Sequence, residues 1–156
     1  MTKDLILNLM KTGQDSLTRT FNAVPDDKLY WKPLDQGRCA LDAYGEAAQS
    51  CGMIVGLVQS KGEQKPSREM FAKMADERAI WTKADALEAM NTNATALYAA
   101  LENMSEEDLN MPITMPMGGG TTMPLSAWVM MAYRAFISRF AQINYIQTLY
   151  GDTESH

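Results

Sequence analysis

PLSAWVMMAYRAFISRFAQINYIQTLY, residues 124–150, is the stretch that decides the fold. Leu125, Trp128, Val129, Ala132, Phe136, Phe140, Ile143, Ile146 and Tyr150 recur at the three- and four-residue intervals of an α-helix. They occupy so much of its circumference that the helix must sit centrally, covered by others, rather than lie on a surface. Pro124 suits a first turn, where a missing N–H costs nothing, and Gly151 suits a stop. Working back along the chain, three more stretches of helical period and similar length supply the cover, at residues 2–22, 40–60 and 83–103. No stretch alternates convincingly with the period of a strand.

The first of these carries Leu5, Leu9, Leu17 and Phe21 on one face, with Gly13 continuing it and Thr2 placed to cap its open amides. A loop with Pro25 and Pro33 follows, with a short helical turn expected at 26–29 and Gly37 closing it. The second helix has an apolar stripe of Leu41, Ala48, Val55 and Val58. Small residues, among them Ala43, Gly45, Ala47, Gly52 and Gly56, let another helix approach it closely. Gly62 is its expected stop. The polar connector 61–82 has its own short helix after Pro66, with Met70, Phe71 and Met74 on one face. Thr82 and Asp85 form an imperfect capping box for the third long helix, whose stripe is Leu87, Met90, Ala94, Leu97, Leu101 and Met104. Four such helices predict an all-α four-helix bundle with a long crossover between the second and third, spanning 1–152, with 153–156 as a tail. The crossover is long enough for the helices it joins to run parallel.

Composition narrows the function by exclusion. Nineteen acidic residues against 14 basic ones leave a formal charge of −5 over 156 residues, which opposes nucleic acid as a partner. The apolar run 5–10, between Asp4 and Lys11, is too short for a signal peptide, so the expected location is the cytoplasm. The uncharged run 109–133 is membrane-length, but Pro112, Pro116, Pro124 and Gly118–Gly119–Gly120 exclude a spanning helix, and no membrane role is expected. Cys39 and Cys51, placed on one helix ~18 Å apart, cannot bridge each other and read as small buried thiols.

The only histidine is His156, the last residue. Histidine bases, histidine metal ligands and Ser-His-Asp relays are thereby removed from the interior. Asp42 and Glu46 lie one turn apart and, with Gln49, read as a solvated acidic stripe in preference to a carboxylate metal site. NMPITMPMGGGTTMP, residues 110–124, concentrates Met111, Met115, Met117 and Met123. These methionines read as a loop covering the bundle end, or as a partner surface, in preference to a cuprous site. Its three glycines lack the Lys-Ser or Lys-Thr of a P-loop and suit a backbone reversal, a short hairpin between Ile113–Thr114 and Thr121–Thr122.

Three pieces carry a family resemblance: AYRAFISRFAQINYIQTLYGD at 132–152, GRCALDAYGEAAQ at 37–49 and LYWKP at 29–33. They resemble, in order, the last helix, the second-helix motif and the Trp-x-Pro loop of the DinB-like (YfiT/DinB) superfamily, often labelled DNA-damage-inducible. The resemblance implies a four-helix bundle, usually a homodimer, that holds a divalent metal through one second-helix histidine and a His-x-x-x-His pair on the last helix. Those ligand positions fall here on Glu46, Ala135 and Arg139, so the histidine triad is absent and no cofactor is expected. An alanine cannot ligate, and a guanidinium opposes a dication.

Glu46 and Arg139 are therefore expected to pair across the former metal site, although periodicity alone leaves Glu46 on a stripe that could be solvated. Asp42, Tyr133 and Gln142 are pocket neighbours, Tyr133 reading either as core or as a group that handles protons. The expected function is a metal-free bundle that binds a small molecule or serves as a dimeric scaffold. The alternative is a metal-independent transferase or hydrolase, thiol S-transferase-like, in the former metal pocket, with Arg139 clamping an anion. No catalytic residue is named by the sequence.

Overall fold

The computed structural model describes residues 2–116 and 120–156. Helix α1 spans Lys3–Asn22, and two 3-10 turns, Asp26–Lys28 and Pro33–Asp35, lead to α2, Ala40–Gln59. Helix α3, Arg68–Arg78, lies in the crossover to α4, Lys83–Glu102. A short α5, Glu106–Asn110, and an antiparallel hairpin of β1, Pro112–Met115, and β2, Thr121–Pro124, precede α6, Leu125–Leu149. The architecture is all-α, with α1, α2, α4 and α6 forming the four-helix bundle. No helix among the described residues is long and apolar enough to cross a membrane.

Cross-helix contacts fix the topology. Lys3 Nζ donates to the Glu102 carbonyl at 2.9 Å and Lys83 Nζ to the Asn22 carbonyl at 3.3 Å, so α1 and α4 are antiparallel. Gly13 faces Tyr133 and Phe136, while the Thr20 hydroxyl meets Gln147 Oε1 at 3.0 Å further along, so α1 and α6 are parallel. Gly45 meets Trp81, just ahead of α4, and Asn93 Nδ2 donates to the Ala48 carbonyl at 2.9 Å, so α2 and α4 also run parallel. Two parallel pairs, each linked by a long excursion, replace the up-and-down order that short loops would give.

Local chemistry sets the element ends. Thr2 Oγ1 accepts from Leu5 N at 3.3 Å, and Thr82 and Asp85, expected as an imperfect capping box, form a fully reciprocal one. A second box, Ser105 with Asp108, nucleates α5, which apolar periodicity had not revealed because five residues are too few to show a period. Gly62 stops α2 with φ +87°, and a Cβ there would also collide with Ile113, so the turn needs glycine twice over. Pro124 occupies the cap rather than the first turn: it closes β2, and the first helical amide, Leu125 N, donates to the Met111 carbonyl at 2.9 Å.

Two faces differ from expectation. On α1 the buried stripe is Ile6, Met10, Gly13, Leu17 and Phe21, while Leu5 is 48% exposed and Leu9 half-buried. Steps of four residues drift by ~40° each around a helix, so Leu5 and Leu9 fall off the face that Gly13, which lies against Tyr133, shares with Leu17 and Phe21. On α3 no residue is buried and Phe71 remains 39% exposed, because among the described residues α3 packs chiefly against α2, on one side only.

The expected short hairpin is present, with Thr114 and Thr122 hydroxyls 2.8 Å apart across it. Trp128 Nε1 donates to the Ile113 carbonyl at 2.9 Å and ties it to α6. Met115 is buried and Met111 and Met123 pack against the core, which is the covering role rather than an outward surface. Met117, Gly118 and Gly119 lie outside the described residues.

Candidate functional site

Helix α2 presents Asp42, Glu46 and Gln49 at intervals of three and four residues, hence on one face. The face is not the solvated stripe that its composition suggests. Arg38, in the loop before α2, places Nε 2.6 Å from Asp42 Oδ2, and its Nη1 makes an ion pair with Glu46 Oε2 without hydrogen-bond alignment. Arg78, at the end of α3, reaches Asp42 Oδ1 at 2.6 Å and Gln49 Oε1 at 3.1 Å. From α6, Arg139 Nη2 donates to Glu46 Oε1 at 2.7 Å and its Nη1 to Gln142 Oε1 at 3.0 Å. The expected Glu46–Arg139 pair is thus present, as one rung of a ladder Arg78, Asp42, Arg38, Glu46, Arg139 that joins α3, α2 and α6.

Periodicity had no means of finding Arg38 or Arg78. Both come from irregular or connecting segments whose return to α2 depends on the tertiary fold, although i,i+4 spacing was a usable signal for Arg38 and Asp42.

Glu46 feels two opposed influences. Partial burial pushes its carboxyl up, but the hydrogen bond from Arg139 and the charges of Arg38 and Arg139 outweigh that and hold it below the ordinary value. It is therefore firmly ionised at neutral pH. Cys51, on the same helix, is fully buried, and desolvation pushes its thiol up to about 12, so it is no thiolate nucleophile.

Between α2 and α6, with Phe71 of α3 and Met115 of β1 at its sides, lies a cavity of about 520 Å³. Ile54, Leu57, Trp128 and Met131 give it apolar walls, and Glu46 and Arg139 line it together with Ala135. Of the other residues singled out from the sequence, Gln142 contacts Arg139, Asp42 sits a turn back along the ladder, and Tyr133 lies across Gly13 on the α1 side, away from this cavity.

The donor set does not suit a divalent metal. Both Glu46 oxygens already face guanidiniums, Ala135 has no donor atom, and Arg139 brings positive charge to the same point. Among the described residues no group of three or more His, Cys, Asp or Glu side chains converges as a metal site.

Comparison with known proteins bears on the fold. A sequence profile for the DinB superfamily matches residues 9–134. YfiT from Bacillus subtilis, a probable metal-dependent hydrolase with an unusual four-helix bundle topology, superposes with a TM-score of 0.77 at 13% identity, covering 96% of this chain and 87% of its own. A DinB-like protein from Bacillus subtilis gives 0.70 at 16% identity over 97% and 96% of the two chains. A mycothiol-dependent maleylpyruvate isomerase gives 0.72 at 16% identity over 92% of this chain, which spans only 61% of that protein's length. No curated protein matches the chain in sequence. At such low identities the solved structures establish the fold.

Proposed function

The chain belongs to the DinB superfamily, and from that premise we propose that it is a binding member of the family that holds a small molecule between α2 and α6 without a divalent metal. One observation carries this reading: a cavity of about 520 Å³ with apolar walls stands where a charge pair, not a ligand set, closes the floor. That volume lies within the range of small-molecule sites, ~300–1,000 Å³. Binding is favoured over catalysis because Glu46 is locked as an anion between two guanidiniums, which makes it a poor carrier of protons. The reading includes a cytoplasmic homodimer, by likeness to the family rather than from any surface described above.

The test has two arms. Protein purified without a tag should contain no stoichiometric zinc or nickel by elemental analysis; a full equivalent of either overturns the metal-free part. An uncharged apolar probe, 1-octanol, should raise the Tm of the native chain but not of Ala135→Trp, whose indole fills the cavity. Saturation to about 100 times Kd should stabilise by ~2.7 kcal/mol, a shift of ~5–10 °C for a chain of this size. No shift in the native chain overturns the binding site.

A further inference from the structure

Arg134 lines the same cavity from α6, is exposed, and takes part in none of the ion pairs among the described residues. Arg139, five residues on, spends one Nη on Glu46 and the other on Gln142, and its buried Nε–H has no partner. On the lining of the cavity itself, Arg134 and Arg139 stand against one carboxylate, Glu46, a surplus of one positive charge, while Arg38, Asp42 and Arg78 lie further along the ladder beside another cleft. This surplus sits beside an apolar cavity in a chain whose formal charge is −5. A cationic corner against a greasy wall selects ligands that are anionic at one end and apolar at the other, since the apolar part leaves water and the anion meets donors already in place.

We propose, building on the binding reading above, that the cavity takes an amphipathic monocarboxylate, its acyl or arylalkyl chain against Trp128, Leu57 and Met131 and its carboxylate held by Arg134, with the charge of Arg139 behind it. Arginine suits a carboxylate because its planar fork matches two oxygens, and Arg134 needs no partner displaced before it engages. Glu46 then acts as a competitor: its hold on Arg139 keeps the site from drawing in anions that bring no apolar surface.

The experiment is isothermal titration of the intact chain at neutral pH with three probes of equal chain length, octanoate, 1-octanol and octylamine. Octanoate should bind at least tenfold more tightly than octanol, and octylamine more weakly than either. Arg134→Gln, at an exposed position, should cost octanoate about tenfold, the worth of one charge-assisted hydrogen bond, and leave octanol within about twofold. Glu46→Gln should strengthen octanoate alone.

Equal affinity for octanoate and octanol, or octanoate binding untouched by Arg134→Gln, overturns the carboxylate assignment and leaves the cavity reading standing. Absence of binding by all three overturns both. Octanoate that still binds Ala135→Trp with native affinity is on some other surface, which also overturns the assignment.

Discussion

Glu46 takes part in more of the site than any other side chain, and its surroundings determine what its loss or protonation does. Its side chain is 30% exposed and that of Arg139 24%, although Glu46 Oε2 itself is buried, so water screens the pair only in part. Arg139→Ala strands Glu46 incompletely, because Arg38 still faces the other oxygen. The expected loss is ~1–2 kcal/mol, between the values for exposed and buried pairs, seen as a Tm lowered by ~2–8 °C.

Because the folded carboxyl titrates below its ordinary value of 4.5, Glu46 stabilises the fold fully above that value, and the contribution disappears as pH falls through the lowered one. Native protein and Glu46→Gln should therefore differ most in Tm at neutral pH and converge in acid. A difference that grows below pH 4 contradicts the pairing. The Glu46–Arg139 rung was legible in the sequence only through family resemblance, which aligned two substituted positions. The rung from Arg78 was not, since nothing local says that a connector returns to this face of α2; Arg38 had its i,i+4 spacing to Asp42 as a local signal, but its reach to Glu46 had none.

At the scale of elements, α2 and α4 approach so closely that a Cβ on Gly52 would lie 2.9 Å from the Asn93 amide, which is itself bound to the Ala48 carbonyl. Gly52→Ala should cost ~1 kcal/mol net, ~2 from overpacking the Asn93 amide less the ~1 that Ala gains over Gly inside a helix, and should turn stabilising in an Asn93→Ala background. Equal costs in both backgrounds would show that the contact does not couple the helices. Helix α3 is the opposite case. It has no buried residue and is held by Arg78 on Asp42, by Gln49 Nε2 on the Met74 carbonyl at 2.7 Å, and by Trp81 against Gly45. Its amides should exchange with deuterium well before those of α2 and α4, and Asp42→Asn should speed them further.

Caps, stops and the long apolar stripes made the four main helices readable, because each is a local rule. The phase of α1 was misread at its start: a stripe taken in steps of four drifts by ~40° each step, which carries Leu5 away from the face of Phe21, whereas Ile6 and Met10 stay on it.

For the whole molecule, α2 and α6 set positions 46, 135 and 139 around one cavity, which is a geometric demand that the triple change Glu46→His, Ala135→His, Arg139→His can test. That variant should bind zinc or nickel at about one equivalent, measured by competition with a chromogenic chelator, while the native chain competes for none. A variant that folds yet takes up no metal would show that these are not the superfamily's ligand positions. The bundle arrangement was visible beforehand in the length of the crossover, but the pairing of parallel neighbours had to come from contacts that no periodicity encodes.

That pairing also orders events during synthesis. Helix α1 finds its main neighbour in α6, more than a hundred residues downstream, whereas α2 and α4 are separated by little more than the crossover. On the ribosome the middle pair is able to zip first, and the greasy side of α1 waits, open to chaperones or to other nascent chains, until α6 emerges.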